Sequence, residues 1–168
     1  QVSIKRVRKV REGEYDPANY LPVSEYDIED MYKQLLTFVN GIKNPYLSKV
    51  AKHFFVDDVE FVKQFKFSSA AKSVHHGFVG GLLEHTLSVL KLCQFYVKQY
   101  PILNEDLLYT AALCHDIGKV YELSAFPLND YTDDGQLLGH IVMGCEIVGE
   151  QIRAIDKNKK KLGNELKH

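Results

Sequence analysis

His115 and Asp116 stand side by side at the end of the run Leu107-Leu108-Tyr109-Thr110-Ala111-Ala112-Leu113-Cys114, with Ile117-Gly118-Lys119 following. Imidazole and carboxylate are both ligands for a divalent cation. A charged carboxylate buried at the end of an apolar helical run costs several kcal/mol unless a partner compensates it, and a metal ion is such a partner. Two more histidines, His85 and His140, head neighbouring apolar segments. On helical spacing His85 shares a face with Val89, Leu92, Cys93 and Tyr96, and His115 with Leu108, Ala111 and Ala112. His140 heads the stripe Met143, Gly144, Ile147, Val148. Three helices are thus expected to aim a histidine each at the interior, with Asp116 beside the middle one. Such ligands suit Mn, Fe, Zn, Ni or Co, and Mg when water and phosphate complete its shell. A mixed His/Asp set with open positions fits metal-assisted hydrolysis, and Lys119 adds a cation able to reach a phosphate.

The bland alternatives differ from residue to residue. A single buried histidine is more often a hydrogen-bonded core residue than a ligand, so His85 gains weight only with the doublet. His140 could instead cap the final helix. His75-His76 is either a solvated turn or a contact to substrate phosphate or base. Asp57-Asp58 is expected to open a helix, where the macrodipole favours acid. Asp133-Asp134-Gly135 reads as a tight turn without the ligand spacing of a calcium loop.

Helices must carry these side chains. Ile28, Met31, Leu35, Phe38, Val39 and Ile42 repeat at helical spacing, after Ser24-Glu25-Tyr26-Asp27 as a capping-box start with Asp in place of Glu or Gln. Asn44-Pro45 begins a second helix, with Pro in its first turn. A third, short helix after Asp57-Asp58 carries Val59, Val62 and Phe65. Beyond the glycines of 77–81 comes the longest periodic segment, Leu82 to Tyr100, stopped by Pro101. Asn104 starts the helix that ends at the doublet, with Gly118 as its terminator. Residues 124–138 read as a loop or small hairpin, and a last helix is expected from about Gly139 to Ile155. Ahead of all this, Val2 to Val10 alternates apolar and basic residues as an edge strand would, and Glu12 to Pro22 reads as linker. The expected class is all-α with a short N-terminal strand and linker arm.

Composition bounds the function. The chain has 168 residues, 45% apolar and 26% charged, enough for one domain with a real core. A net charge of −1 excludes a globally basic nucleic-acid binder while leaving room for a local basic patch. Cys93, Cys114 and Cys145 are odd in number, widely spaced and flanked by apolar residues, so they read as reduced core thiols. No apolar run approaches the roughly 20 residues that span a bilayer, and no signal peptide is evident at the amino terminus. A cytoplasmic protein without a membrane partner is expected.

Three runs are more specific than the doublet: 75–86, 113–123 and 131–140, that is His75-His76-Gly77-Phe78-Val79-Gly80-Gly81-Leu82-Leu83-Glu84-His85-Thr86, Leu113-Cys114-His115-Asp116-Ile117-Gly118-Lys119-Val120-Tyr121-Glu122-Leu123, and Tyr131-Thr132-Asp133-Asp134-Gly135-Gln136-Leu137-Leu138-Gly139-His140. Together they resemble the HD-domain superfamily of metal-dependent phosphohydrolases, and within it the YhaM-type 3′-to-5′ exoribonucleases. The resemblance implies an HD-domain helical bundle over 24–168, incomplete at its C-terminal end. Residues 1–23 would be strand and linker left from a preceding OB-fold module, which needs about five strands of its own. It implies that His85, His115 and Asp116 bind the principal metal, manganese first among the candidates, with Asp116 able to bridge to a second ion to which His140 belongs. Lys119 would stabilise charge on the phosphoryl group and His76 contact the substrate. The family pattern continues past Leu166-Lys167-His168 to a further histidine pair and a late aspartate, so the chain would hold part of the site and could be inactive as an isolated piece. The reaction implied is attack of metal-activated water on single-stranded RNA, possible on single-stranded DNA too, releasing nucleoside 5′-monophosphates. Two other readings stay open: an HD phosphohydrolase of small or cyclic nucleotides, and a non-catalytic interaction fragment. Oligomeric state is not legible.

Overall fold

Side chains at the helix starts decide where most elements begin. The computed structural model describes residues 6–8, 10–11, 14, 20–72 and 76–155, and these form an all-α fold. Helix α1 runs Ile28–Gly41, with Asp27 accepting the Asp30 N–H at 2.8 Å. Asp27, and not Ser24, is therefore the cap; Ser24 is committed elsewhere, its hydroxyl donating to Glu84 at 2.6 Å. Asn44 caps α2 (Pro45–Lys52) through the Tyr46 and Leu47 amides, and Pro45 occupies the first turn, where a missing N–H costs nothing. A π-helical turn, His53–Asp57, prolongs α2 beyond its periodic residues. Asp58 then caps α3 (Val59–Phe67), and Asn104 caps α5 (Glu105–Cys114). Helix α4, Gly81–Gln99, has no side-chain cap and starts behind Gly80, whose φ of 84° is left-handed.

The interior is built on α4. Leu82, Leu83, Leu87 and Leu90 are buried along it and meet Met31, Leu35 and Val39 of α1 and Leu113 of α5 in one core. Each such leucine contributes roughly 1.5–3 kcal/mol by leaving water. Below it lies an aromatic cluster in which Phe55 meets Phe65 edge-on, ring centres 5.1 Å apart. The short 100–104 connection turns the chain back so that α5 ends where α4 begins.

Three expectations need correction. Gly118 does not end a helix with a left-handed turn: its φ is −61°, and the four-residue helix α6 (Lys119–Glu122) follows it. Residues 133–138 are not loop, because α7 runs Asp133–Ile155. Thr132 accepts the Gly135 N–H at 2.9 Å, and Asp133-Asp134 sit in the first turn where the helix dipole favours them, so this triplet opens a helix in place of the expected turn. The loop before it closes through an antiparallel bridge between Leu123 and Tyr131. Gly139 (φ 73°, ψ 158°) does interrupt α7, in a region essentially reserved for glycine, so the segment expected from Gly139 onward is the second part of a kinked helix. Of the expected strand over 2–10, residues 2–5 and 9 lie outside the described residues, while 6–8 and 10 are exposed and not in strand conformation. Where the arm is next described, Val23 makes a parallel bridge to Val79, just before α4. The basic tail from Asp156 lies outside the described residues.

Glycines set how closely α6 and α7 approach. A Cβ on Gly118 would meet the His140 carbonyl oxygen at 2.1 Å and the Gly144 nitrogen at 2.8 Å, whereas one on Gly41 would meet nothing within 4 Å. Gly118→Ala is expected to destabilise the protein by about 1–3 kcal/mol through forced backbone separation, and Gly41→Ala to stabilise it by about 0.4–1 kcal/mol. Urea midpoints of the two variants check this; a Gly118→Ala protein as stable as wild type would contradict the packing.

Candidate metal centre

At the junction of α4 and α5 the start of one helix faces the end of the other. His85 comes from the first turns of α4, His115 caps α5, and Asp116 follows in the turn leading to α6. Their ligand atoms converge: His85 Nε2 and His115 Nε2 are 3.2 Å apart, and each lies 3.4 Å from Asp116 Oδ2. Donors about 2.0–2.2 Å from a common ion, at angles between octahedral and tetrahedral, stand roughly 2.8–3.6 Å from one another. The triangle has the size of a coordination face. Among the described residues this is the one cluster of three such groups that could hold a metal ion.

The proton positions favour the same reading. His115 Nδ1 lies 2.7 Å from the Ala112 carbonyl oxygen, which can only accept, so in the neutral ring Nδ1 carries the hydrogen and Nε2 a lone pair. Backbone orientation of a metal-facing histidine by its other nitrogen is a common supporting contact. Two imidazole nitrogens turned toward one carboxylate oxygen, with a cation between them, satisfy all three.

Asp116 is the buried member, 7% exposed. Burial disfavours its charge, but His115 and Lys119 outweigh that and hold its carboxyl well below the usual carboxylate range. Lys119, one helical turn on, places Nζ 2.9 Å from Asp116 Oδ2 and donates to the Ala70 carbonyl at 2.8 Å. The backbone on either side of Ala70 is held in turn by the loop residue Asn129, whose amide donates to the carbonyls of Ala71 and Lys72 and which accepts the Ser69 hydroxyl at 2.5 Å. For His115, burial acts downward, but the Asp116 carboxylate and the Ala112 carbonyl raise its pKa above the ordinary imidazole value. In His85, burial prevails and the pKa falls.

His140 approaches from α7 on the other side, its Nε2 3.5 Å from Asp116 Oδ1. Asp116 therefore faces His85 and His115 with one oxygen and His140 with the other. His76 stands at the rim, its ring centre 5.6 Å from that of His85 and its backbone left-handed at φ 60°. Its Nδ1 is buried without a hydrogen-bond partner, 3.5 Å from Glu84 Oε1. His75 lies outside the described residues. The six residues singled out by spacing, His76, His85, His115, Asp116, Lys119 and His140, are thus brought to one place.

Two details of that expectation change. The His85 face is only partly interior: Cys93 is buried and Val89 packs on the core, while Leu92 is 60% and Tyr96 49% exposed, and His85 looks into an open cup whose floor is Asp116. Ala111 is likewise exposed, so among the described residues no helix packs over it. Spacing also missed the carboxylates behind the ring nitrogens. Glu122 lies 3.0 Å from His140 Nδ1 and Glu84 faces His76; a buried Glu between Tyr121 and Leu123 was the only local sign of the first. No disulfide joins Cys93, Cys114 and Cys145, and all three lie outside the cluster.

Residues 82–164 match the HD-domain family model. The chain is 34% identical over 157 residues to a 3′-5′ exoribonuclease YhaM of Geobacillus sp. (strain WCH70), covering 93% of this chain and 47% of that protein. It is 35% identical over 149 residues to a 3′-5′ exoribonuclease YhaM of Bacillus pumilus (strain SAFR-032), covering 88% and 46%. The chain spans about half the length of the curated relatives it matches. No solved structure matches.

The depressed pKa of Asp116 has a consequence for acid stability. Its contribution is present above the unfolded carboxylate value near 4 and is lost as pH falls through the lower folded value. In chelator, the gap in urea midpoint between wild type and Asp116→Asn is expected to narrow steadily below about pH 4. Parallel curves from pH 6 to 3 would contradict the assignment.

Proposed function

We propose that this chain, which matches the HD-domain model over residues 82–164, is an HD-domain protein and a metal-dependent 3′-to-5′ exoribonuclease acting on single-stranded RNA, and on single-stranded DNA where it is offered. The observation that carries this reading is the coordination-sized triangle of His85, His115 and Asp116 with an ammonium on the same carboxylate oxygen. The similarity to proteins named as 3′-5′ exoribonucleases supports the choice of substrate and polarity.

A divalent cation, manganese first, would supply Lewis acidity for a water nucleophile and a phosphoryl oxygen. The residues of the chain do the rest. Asp116 and the two Nε2 atoms would hold the cation; the Ala112 carbonyl favours the His115 tautomer that can bind. Lys119 offsets the Asp116 charge and, with two of its three N–H directions spent on Asp116 and Ala70, has one left for a phosphate oxygen. His76 presents its ring at the cup's rim, where a chain end would enter. The cup is open, with the His85, His115 and His140 side chains each about one third exposed, as a site for a polymer terminus needs. Residues 1–23 are read as the link to a preceding nucleic-acid-binding module, 24–168 as the HD domain, and the protein as cytoplasmic.

Full-length protein with Mn²⁺ and 5′-labelled RNA is expected to yield a ladder shortening from the 3′ end. His115→Ala combined with Asp116→Ala should slow this by at least about a hundredfold, since removing a Lewis acid worth several kcal/mol leaves little catalysis. Wild-type rates in the double variant would refute the assignment. Hydrolysis of cyclic nucleotides with RNA left intact would move the substrate to the small-nucleotide class.

A further inference from the structure

Behind His140 stands a group that the proposed metal chemistry has not used. Glu122, the last residue of α6, is buried, and both carboxylate oxygens lie on one imidazole: Oε1 is 3.0 Å and Oε2 3.1 Å from His140 Nδ1. Oε1 also accepts the His140 backbone N–H at 3.0 Å. The kink at Gly139 immediately before makes this possible, by turning the His140 amide toward α6. Glu122 is itself held: its carbonyl accepts the Thr132 N–H at 2.9 Å, and Gly135 packs so close that a Cβ there would meet the same oxygen at 2.3 Å.

This arrangement does more than cap the second part of α7. An ionised carboxylate only accepts, so in the neutral ring Nδ1 holds the proton and Nε2 a lone pair. That lone pair faces Asp116 Oδ1, the oxygen turned away from His85 and His115. Formal charge points the same way: Asp116 and Glu122 bring two negative charges to the centre, against one from Lys119. A carboxylate removed from water calls for a compensating charge.

We propose that Glu122 is a positioning residue that holds His140 Nε2 toward Asp116 Oδ1, the place where the family resemblance already puts a second divalent cation. The proposal rests on the metal-centre reading above. It makes the carboxylate–histidine pair the device that separates two cation positions on one aspartate.

The test uses full-length protein in three forms: wild type, Glu122→Leu and Glu122→Gln. Long-range ¹⁵N NMR of the metal-free protein reads the His140 tautomer, and EPR of free Mn²⁺ during titration reads stoichiometry and affinity. Wild type should show Nδ1–H and bind two equivalents. Glu122→Leu should lose that tautomer preference and weaken the second equivalent by about 10- to 100-fold while the first is unchanged. Glu122→Gln keeps an acceptor oxygen for both N–H groups and should retain the tautomer and most of the second affinity. A purely structural role would lower thermal stability and leave tautomer and second affinity alone, and that outcome overturns the proposal. If Glu122→Leu does not fold, Glu122→Asp replaces it: one methylene shorter, it must lose the second equivalent that Gln keeps, and equal binding in both overturns the proposal. Wild type that binds no Mn²⁺ would refute the metal-centre reading itself, a result distinct from two unchanged sites in the variants.

Discussion

A carboxylate held out of water is the constraint around which this protein is organised. Asp116 is buried at the turn between α5 and α6, and an isolated charge there would cost several kcal/mol. Four groups surround it: Lys119 supplies a positive charge on one oxygen, where His85 and His115 also converge, and His140 faces the other. Exposed ion pairs elsewhere in the chain, such as Lys33 with Asp30, are worth at most about 1 kcal/mol and organise nothing. The difference in burial separates the two cases.

Each compensating group needs a helix in a particular place. The leucines of α4 seat His85 against the end of α5, and the short turn between those helices sets His85 and His115 face to face. The α6–α7 approach, possible only because Gly118 and Gly135 lack side chains, carries His140 in from the opposite side. Lys119 is steadied through Ala70, and Asn129 ties the backbone beside Ala70 to the loop before α7. Core packing and site chemistry are therefore coupled at the glycines more than at the ligands.

Behind two of the candidate ligand nitrogens stand hydrogen-bond acceptors. The Ala112 carbonyl and the Glu122 carboxylate lie 2.7 and 3.0 Å from the Nδ1 atoms of His115 and His140, an arrangement that favours a lone pair on the opposite nitrogen. At the rim the pattern loosens, where Glu84 faces His76 at 3.5 Å and Ser24 ties Glu84 to the segment ahead of α1. That segment also bridges Val79 through Val23, so the stretch leading into the helical domain is joined to the edge of the cup.

Much of this was legible in the residues alone. Caps at Asn44, Asp58 and Asn104, the apolar repeat of α1 and α4, and the His-Asp doublet all act locally, over one or two helical turns, which is the range in which spacing and side-chain type decide conformation. The all-α class and the candidate metal-holding residues follow from them. What only the tertiary structure decided depends on groups distant in the chain. Ser24 has the look of a cap but is drawn to Glu84, sixty residues away, leaving Asp27 to start α1. Asp133-Asp134-Gly135 has the composition of a turn, yet Thr132 and the close face of α6 make it helix. Helical spacing placed His85 inward, whereas the exposure of Leu92 and Tyr96 shows an open cup. Glu122 acts on His140 across eighteen positions, through a contact no local pattern encodes. Spacing tells which side chains share a helix face; which face meets another helix, and at what distance, is settled when the helices pack.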